Sequence, residues 1–347
     1  MKSKITNQNY GLMRNVDHLM AQCPLKHEIR TTLWKSYIQG LGAKPIKYLT
    51  LYSPPLMDVK FLHKMGFISV TNSKYDNVVG VSLDEKAVAD TNSQTEHRLE
   101  LLLEGDINSL LSNADKSIEN KKKLFESFPF DVINLDYTDT LHASNKTEEL
   151  SPHFSAIENL LRLQYKKNKD EFILFITAYA KVDLYNKYFL GDLVKFVKEN
   201  ISHTPNFSSK LNSTFKTKDA NEFKKADPNN FFLIGLIKFI LRFLKPFNYD
   251  IKSGEANWLI RNRQPYESRL LHLAFHIQKY VPAVPKKRTY VGKNVNFVEH
   301  KSVRFIRNNF LTLEEKKDYD RLFKLHQNEI NELNSMTFEL RTPAPKE

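Results

Sequence analysis

One cysteine, Cys23, is present in 347 residues, so no disulfide within the chain and no cysteine-built zinc site can form. No apolar run is long enough to span a bilayer. The greasiest stretch, 231–244 (FFLIGLIKFILRFL), is too short and carries Lys238 and Arg242, so it reads as a mostly buried helix. Several chemistry-bearing signatures are also missing: there is no phosphate-binding P-loop, no Gly-x-Ser-x-Gly elbow and no H-E-x-x-H helix. Met1-Lys2-Ser3-Lys4 is followed by polar residues, so no signal peptide is expected, and the chain suits a reducing cytoplasm.

Positive charge is what the chain has in excess. Lys and Arg number 52 against 40 Asp and Glu, a net charge of +12. Such a balance favours an anionic partner, nucleic acid before membrane surface, and a merely lysine-rich solvated surface is the bland alternative. The charge is densest in 281–310, where Lys286, Lys287, Arg288, Lys293, Lys301, Arg304 and Arg307 face the single acid Glu299. Tyr290, Phe297, Phe305 and Phe310 are interleaved with them. Cations that track phosphates beside rings that stack on bases suit single-stranded or distorted nucleic acid. The alternative is that the rings anchor a C-terminal extension to the core.

Hydrophobic patterning divides the chain into three expected regions. Residues 1–44 read as an amphipathic helical arm interrupted at Pro24. Over 45–280, strands and helices alternate: strands at 46–51, 78–81, 101–103, 132–135 and 171–177, with helices at 57–65, 84–91, from 108, 152–165 and 185–201. Alternation of this kind predicts an α/β fold, a doubly wound and mostly parallel sheet. Residues 202–230, rich in Asn, Ser, Lys and Thr, read as a loop or mobile insertion. A helix at 231–244 then precedes strands 249–252 with 256–261 and 270–278, expected as an antiparallel hairpin at a sheet edge. Region 281–347 is a basic extension whose residues 311–334 read as a charged helix.

Two apolar runs end in acids. Leu101–Leu103 leads into Glu104-Gly105-Asp106, and Val132–Leu135 into Asp136. Ligands of open α/β sheets bind outside the carboxyl ends of the strands, which places both aspartates together at one lip of the sheet. The motifs Val78-Val79-Gly80-Val81-Ser82-Leu83-Asp84, Leu103-Glu104-Gly105-Asp106 and Phe130-Asp131-Val132-Ile133-Asn134-Leu135-Asp136, followed by the hairpin, resemble the class I S-adenosylmethionine-dependent methyltransferases. The resemblance implies that Asp106 takes the adenine amine and Ile107 lines its pocket. It also implies that Asp136 and Tyr137 border the methyl donor and acceptor, and that the turn 52–58, with Tyr52, Ser53 and Asp58, faces the methionine moiety. S-adenosylmethionine is the implied cofactor.

The departures from that family are local. The turn after the first strand, TLYSPPLMD, contains no glycine, although the family uses glycine there for close backbone approach. Ser82 stands where an acid usually grips the ribose, with Asp84 and Glu85 just beyond. Asp106 also has a plain alternative as a helix N-cap, and Tyr137 one as a ring packed under the next helix. Cytosine-C5 chemistry is excluded because Cys23 is far from the fourth strand. Tyr137 lacks the flanking prolines of the base-amino-methylating enzymes but retains a ring that could stack on a base. His142 and His153 are candidate bases weighed against ordinary surface histidines, and His272 with His276 lack a third metal ligand, so no metal is expected. Two functions remain open beside a weaker third, the same fold acting on a small-molecule or protein substrate, against which the surplus of positive charge argues mildly. One is a methyltransferase acting on or binding nucleic acid. The other is a degenerate relative serving as a binding subunit of a larger bacterial assembly, such as an antiviral complex, with 1–44 and 311–347 as partner surfaces.

Overall fold

The computed structural model describes residues 24–335 except 43–44, 54–55, 87, 90–97, 113–117, 142–150, 181–184, 204–207, 210, 214–215, 217–218, 227, 264–265 and 281–309. The chain enters through α1 (Pro24–Ile29), a π turn (Arg30–Trp34) and α2 (Lys35–Gln39), which together form one continuous helical rod. There follow β1 (Tyr48–Leu51), α3 (Met57–Lys64), β2 (Val70–Thr71), β3 (Lys74–Ser82) and β4 (Arg98–Glu104). Next come α4 (Ile107–Leu111), α5 (Ile118–Ser127), β5 (Val132–Thr140), α6 (Pro152–Lys166), β6 (Glu171–Tyr179) and α7 (Lys187–His203). The chain then continues through α8 (Ala220–Ala226), α9 (Pro228–Leu244), β7 (Tyr249–Arg263), β8 (Tyr266–Lys279), β9 (Phe310–Glu314) and α10 (Glu315–Ser335).

All the strands join one nine-stranded sheet. β4, β3, β1, β5 and β6 lie side by side and parallel. β8 runs antiparallel between β6 and β7, and β2 forms a short antiparallel pair with the start of β3. This is the central, largely parallel sheet with flanking helices that the sequence predicts, closed by the expected antiparallel hairpin, and it is a class I methyltransferase-like fold. The hairpin is not the sheet edge, however. β9 pairs parallel with β7 from Ala256↔Phe310 to Ile260↔Glu314, so the start of the expected terminal helix is a strand instead. β7 also runs without a break across 249–263, with a register shift between Ile251 and Ser253.

Strand alternation sorts the core into two layers. Leu49, Val79, Ile133, Leu135 and Leu174 face one side, covered by helices of the 107–244 region. Tyr48, Val78, Val132, Ile173 and Phe175 face the other, covered by the rod 24–39, α3 and α10. Leu25 and Ile29 from the rod, and Ile330 and Leu333 from α10, are buried in that second layer. The apolar faces expected to receive partner proteins are therefore partly used inside the molecule. The expectation of a loop across 202–230 is likewise corrected. Ala220–Ala226 is helix, α9 starts at Pro228, and Leu211, Ala220 and Phe223 are buried, because three apolar side chains in a polar stretch suffice to anchor it. The N-terminal residues 1–23, the basic segment 281–309 and His142 lie outside the described residues.

Candidate functional site

The carboxyl ends of β1, β3 and β4 form the side of the lip where the donor contacts were expected. After β1, Tyr52 donates its backbone N–H to Val81 O (2.8 Å), holding the turn against β3. Leu56 occupies a left-handed conformation (φ 48°) with its side chain buried. A side-chain-bearing residue in that region costs roughly 1–2 kcal/mol, here offset by burial of the leucine. The leucine side chain joins the core layer under the rod. Asp58 is turned into the core, where one carboxylate oxygen accepts from the Tyr48 hydroxyl (2.7 Å) and from Thr50 Oγ1 (2.8 Å). Burial, with Asp58 alongside, raises the Tyr48 phenol well above its ordinary range, so it stays a donor.

At the end of β3, Ser82 is buried and its hydroxyl accepts the backbone N–H of Asp84 (3.1 Å), a local turn that leaves Asp84 half-buried. At the end of β4, Gly105 adopts φ 143° and turns the chain so that Asp106 caps α4. Both Asp106 oxygens are engaged: the backbone N–H groups of Asn108 and Ser109 and the side chains of the same two residues all donate to them. Ile107 is buried beneath the cap. Asp58, Ser82 and Asp106 thus each make bonds within the protein. Asp58 is turned away from the lip, whereas Asp106 stays half-exposed on it.

Asp106 and Asp136 share one lip, but β3 and β1 stand between their strands, so they are not neighbours. On β5 they are succeeded by a split: Asp136 faces the rod 24–39, and Tyr137 faces the opposite layer. Asp136 Oδ2 receives Lys26 Nζ at 2.6 Å, the lysine being 15% and the aspartate 29% exposed. Tyr137 is buried, its hydroxyl reaches Asn108 Oδ1 (3.3 Å), and its ring meets His153 edge-on at 4.5 Å between centroids. The packed reading of this tyrosine is therefore realised, and its ring presents no open face for a base. Burial, reinforced by Asp106, pushes its phenol far up.

Beside Asp136 runs a buried polar row that sequence reasoning did not assemble. Register pairs Asp136 with Thr177, Thr177 with His272, and His272 with Asn257, so all four face the rod. Trp34 Nε1 donates to His272 Nε2 (3.2 Å), which leaves Nδ1 to carry the ring proton toward Thr177 Oγ1, 2.8 Å away. The indole also stacks on Phe175, with centroids 4.5 Å apart and planes 4° from parallel. Burial lowers His272 to about 3, with Lys26 and Arg30 adding to the effect against Asp136. Arg30 is itself buried. The only local signals for this row were polar residues interrupting apolar strands, Thr177 in EFILFITAY and His272 in LLHLAFHIQ.

The family model described as PP_RS20740-like matches residues 23–343. A search of curated proteins finds no match. Among solved structures, a putative RNA methyltransferase from Pyrococcus horikoshii is similar at 9% identity and a TM-score of 0.34, over 72% of this chain and 81% of that one. An S-adenosylmethionine-dependent methyltransferase from Anabaena variabilis is similar at 9% identity and 0.34, over 73% and 85%. A putative class I S-adenosylmethionine-dependent methyltransferase from Listeria monocytogenes is similar at 14% identity and 0.33, over 96% and 72%.

Proposed function

The chain belongs to the PP_RS20740-like family, and from that premise we propose that it is a methyltransferase-like protein that works as a binding subunit and does not transfer methyl groups. The observation that carries this reading is the Lys26–Asp136 ion pair. The acid nearest the expected methyl acceptor is held by a lysine of the rod that covers the sheet, so the rod occupies the place an acceptor would take. The commitment of Asp58, Ser82 and Asp106 to internal bonds supports the same conclusion from the donor side.

The partner proposed is nucleic acid. The support is the net charge of +12 together with Lys286, Lys287, Arg288, Lys293, Arg304 and Arg307, set among aromatic residues between β8 and β9. A second reading, an active S-adenosylmethionine-dependent methyltransferase acting on nucleic acid, is favoured by one feature. Asp106 keeps the position after the third parallel strand at which the resemblance puts the adenine.

Two titrations separate them. Calorimetry with S-adenosylmethionine and S-adenosylhomocysteine is expected to give no heat up to about millimolar donor, a range that covers binding free energies beyond about 4 kcal/mol. Fluorescence anisotropy with a labelled single-stranded oligonucleotide is expected to show binding that weakens with salt, log K falling by about 0.7 per phosphate contacted for each tenfold rise in salt. Micromolar donor binding would establish the second reading, and oligonucleotide binding with no salt dependence, or none at all, would overturn the proposed partner.

A further inference from the structure

On the side of the rod away from Asp136, α1 meets α10. His27 is fully buried, His326 and Glu329 lie three positions apart on one face of α10, and one ligand atom from each lies within 4.8 Å of the other two. His27 Nε2 stands 3.0 Å from Glu329 Oε2, and the two imidazoles meet edge-on with centroids 5.0 Å apart. Glu28 Oε2 lies 2.6 Å from His326 Nε2 and orients that ring. We propose that His27, His326 and Glu329 form a binding site for a divalent transition-metal ion.

The donor set selects the ion class. Two imidazoles disfavour calcium and magnesium, which take all-oxygen shells, while two nitrogens with one carboxylate suit zinc. A tetrahedral zinc at about 2.0–2.1 Å from each ligand holds its ligand atoms about 3.3 Å apart. The 3.0 Å between His27 Nε2 and Glu329 Oε2 and the 4.8 Å that encloses all three ligand atoms bracket that value. The surroundings are those of a held ligand set. Lys64 Nζ reaches Glu329 Oε1 at 3.3 Å and Glu332 Oε2 at 2.7 Å, which orients the second oxygen of the glutamate, and Phe61 packs edge-on against the His27 ring. The ligands come from two helices at opposite ends of the described chain, so the ion's role is to join them. It clasps the N-terminal rod to the C-terminal helix, fixing the element that carries Lys26 and Trp34 over the sheet.

The test uses the full chain without a histidine tag, freed of metal by chelation and titrated with zinc and then with cobalt(II). The expected result is one zinc per chain by mass-spectrometric metal analysis, cobalt absorption bands of a tetrahedral N/O site, and a rise in thermal midpoint on adding zinc. The variants H326N and E329Q are each expected to weaken zinc binding at least tenfold. H276N, which alters a histidine–glutamate contact on the sheet instead, is expected to keep the metal. A chelated chain that takes up no stoichiometric zinc, or one whose binding is unchanged by both H326N and E329Q, overturns the proposal. Circular dichroism of each variant without metal shows whether a loss reflects the ligand or the fold.

Discussion

His272 shows what burial does to a single titratable residue. Its ring accepts the Trp34 indole N–H and reaches Thr177, in a place where a second ring proton would point at a donor. The folded chain therefore holds it neutral, down to about 3, against an ordinary value of 6.5 in the unfolded chain. Between these two values the unfolded state binds the proton that the folded state refuses, so stability is complete above about 6.5 and is lost as the pH falls toward 3. One such group costs about 1.4 kcal/mol per pH unit in that window, or about 2 kcal/mol between pH 7 and 5. H272Q removes the titration. In urea unfolding, the stability advantage of the natural chain over H272Q is expected to shrink by about that amount between the two pH values. An advantage that stays constant would place the acid sensitivity elsewhere.

At the scale of an element, α4 depends on a single carboxylate. It is a five-residue helix, too short to persist by its own propensity, and Asp106 satisfies the N–H groups of Asn108 and Ser109 that its first turn leaves open. D106A is expected to lower stability by about 1 kcal/mol and D106N by less, since its single amide oxygen keeps one of the two pairs of accepted bonds, both read from thermal midpoints. The same pair tests the rival role. If donor binding is found, D106N keeps the helix but weakens an adenine contact that needs an acceptor, whereas a cap alone leaves the donor affinity untouched. This element was legible in the sequence, because Leu-Glu-Gly-Asp followed by Ile-Asn-Ser carries both the turn glycine and the capping acid. β9 was not legible. Phe310–Glu314 is five residues with no alternation strong enough to outweigh the helical pattern behind it, and only the open edge of β7 makes it a strand.

For the whole molecule, the question is whether the two layers stand or fall together. The chain has two tryptophans, Trp34 in the layer under the rod and Trp258 in the layer under the other helices. Both layers share the strands of one sheet, and both termini of the described chain pack into one of them. The fluorescence of W34F, which reports Trp258, and of W258F, which reports Trp34, is therefore expected to be lost at the same urea concentration as the helical circular dichroism of the same variant. A separate early transition in W258F would show that the rod and α10 detach as a unit of their own.

The sequence by itself determined the alternation of strands and helices, the antiparallel hairpin, the capped turn at Asp106 and the glycine-free turn after β1, since each is written in neighbouring residues. Only the tertiary structure decided that Lys26 meets Asp136 across 110 positions, and that His27 meets Glu329 across 302. Local periodicity shows that a residue sits on a buried face but carries no information about which distant face covers it. Both contacts were settled by packing of the rod across the sheet.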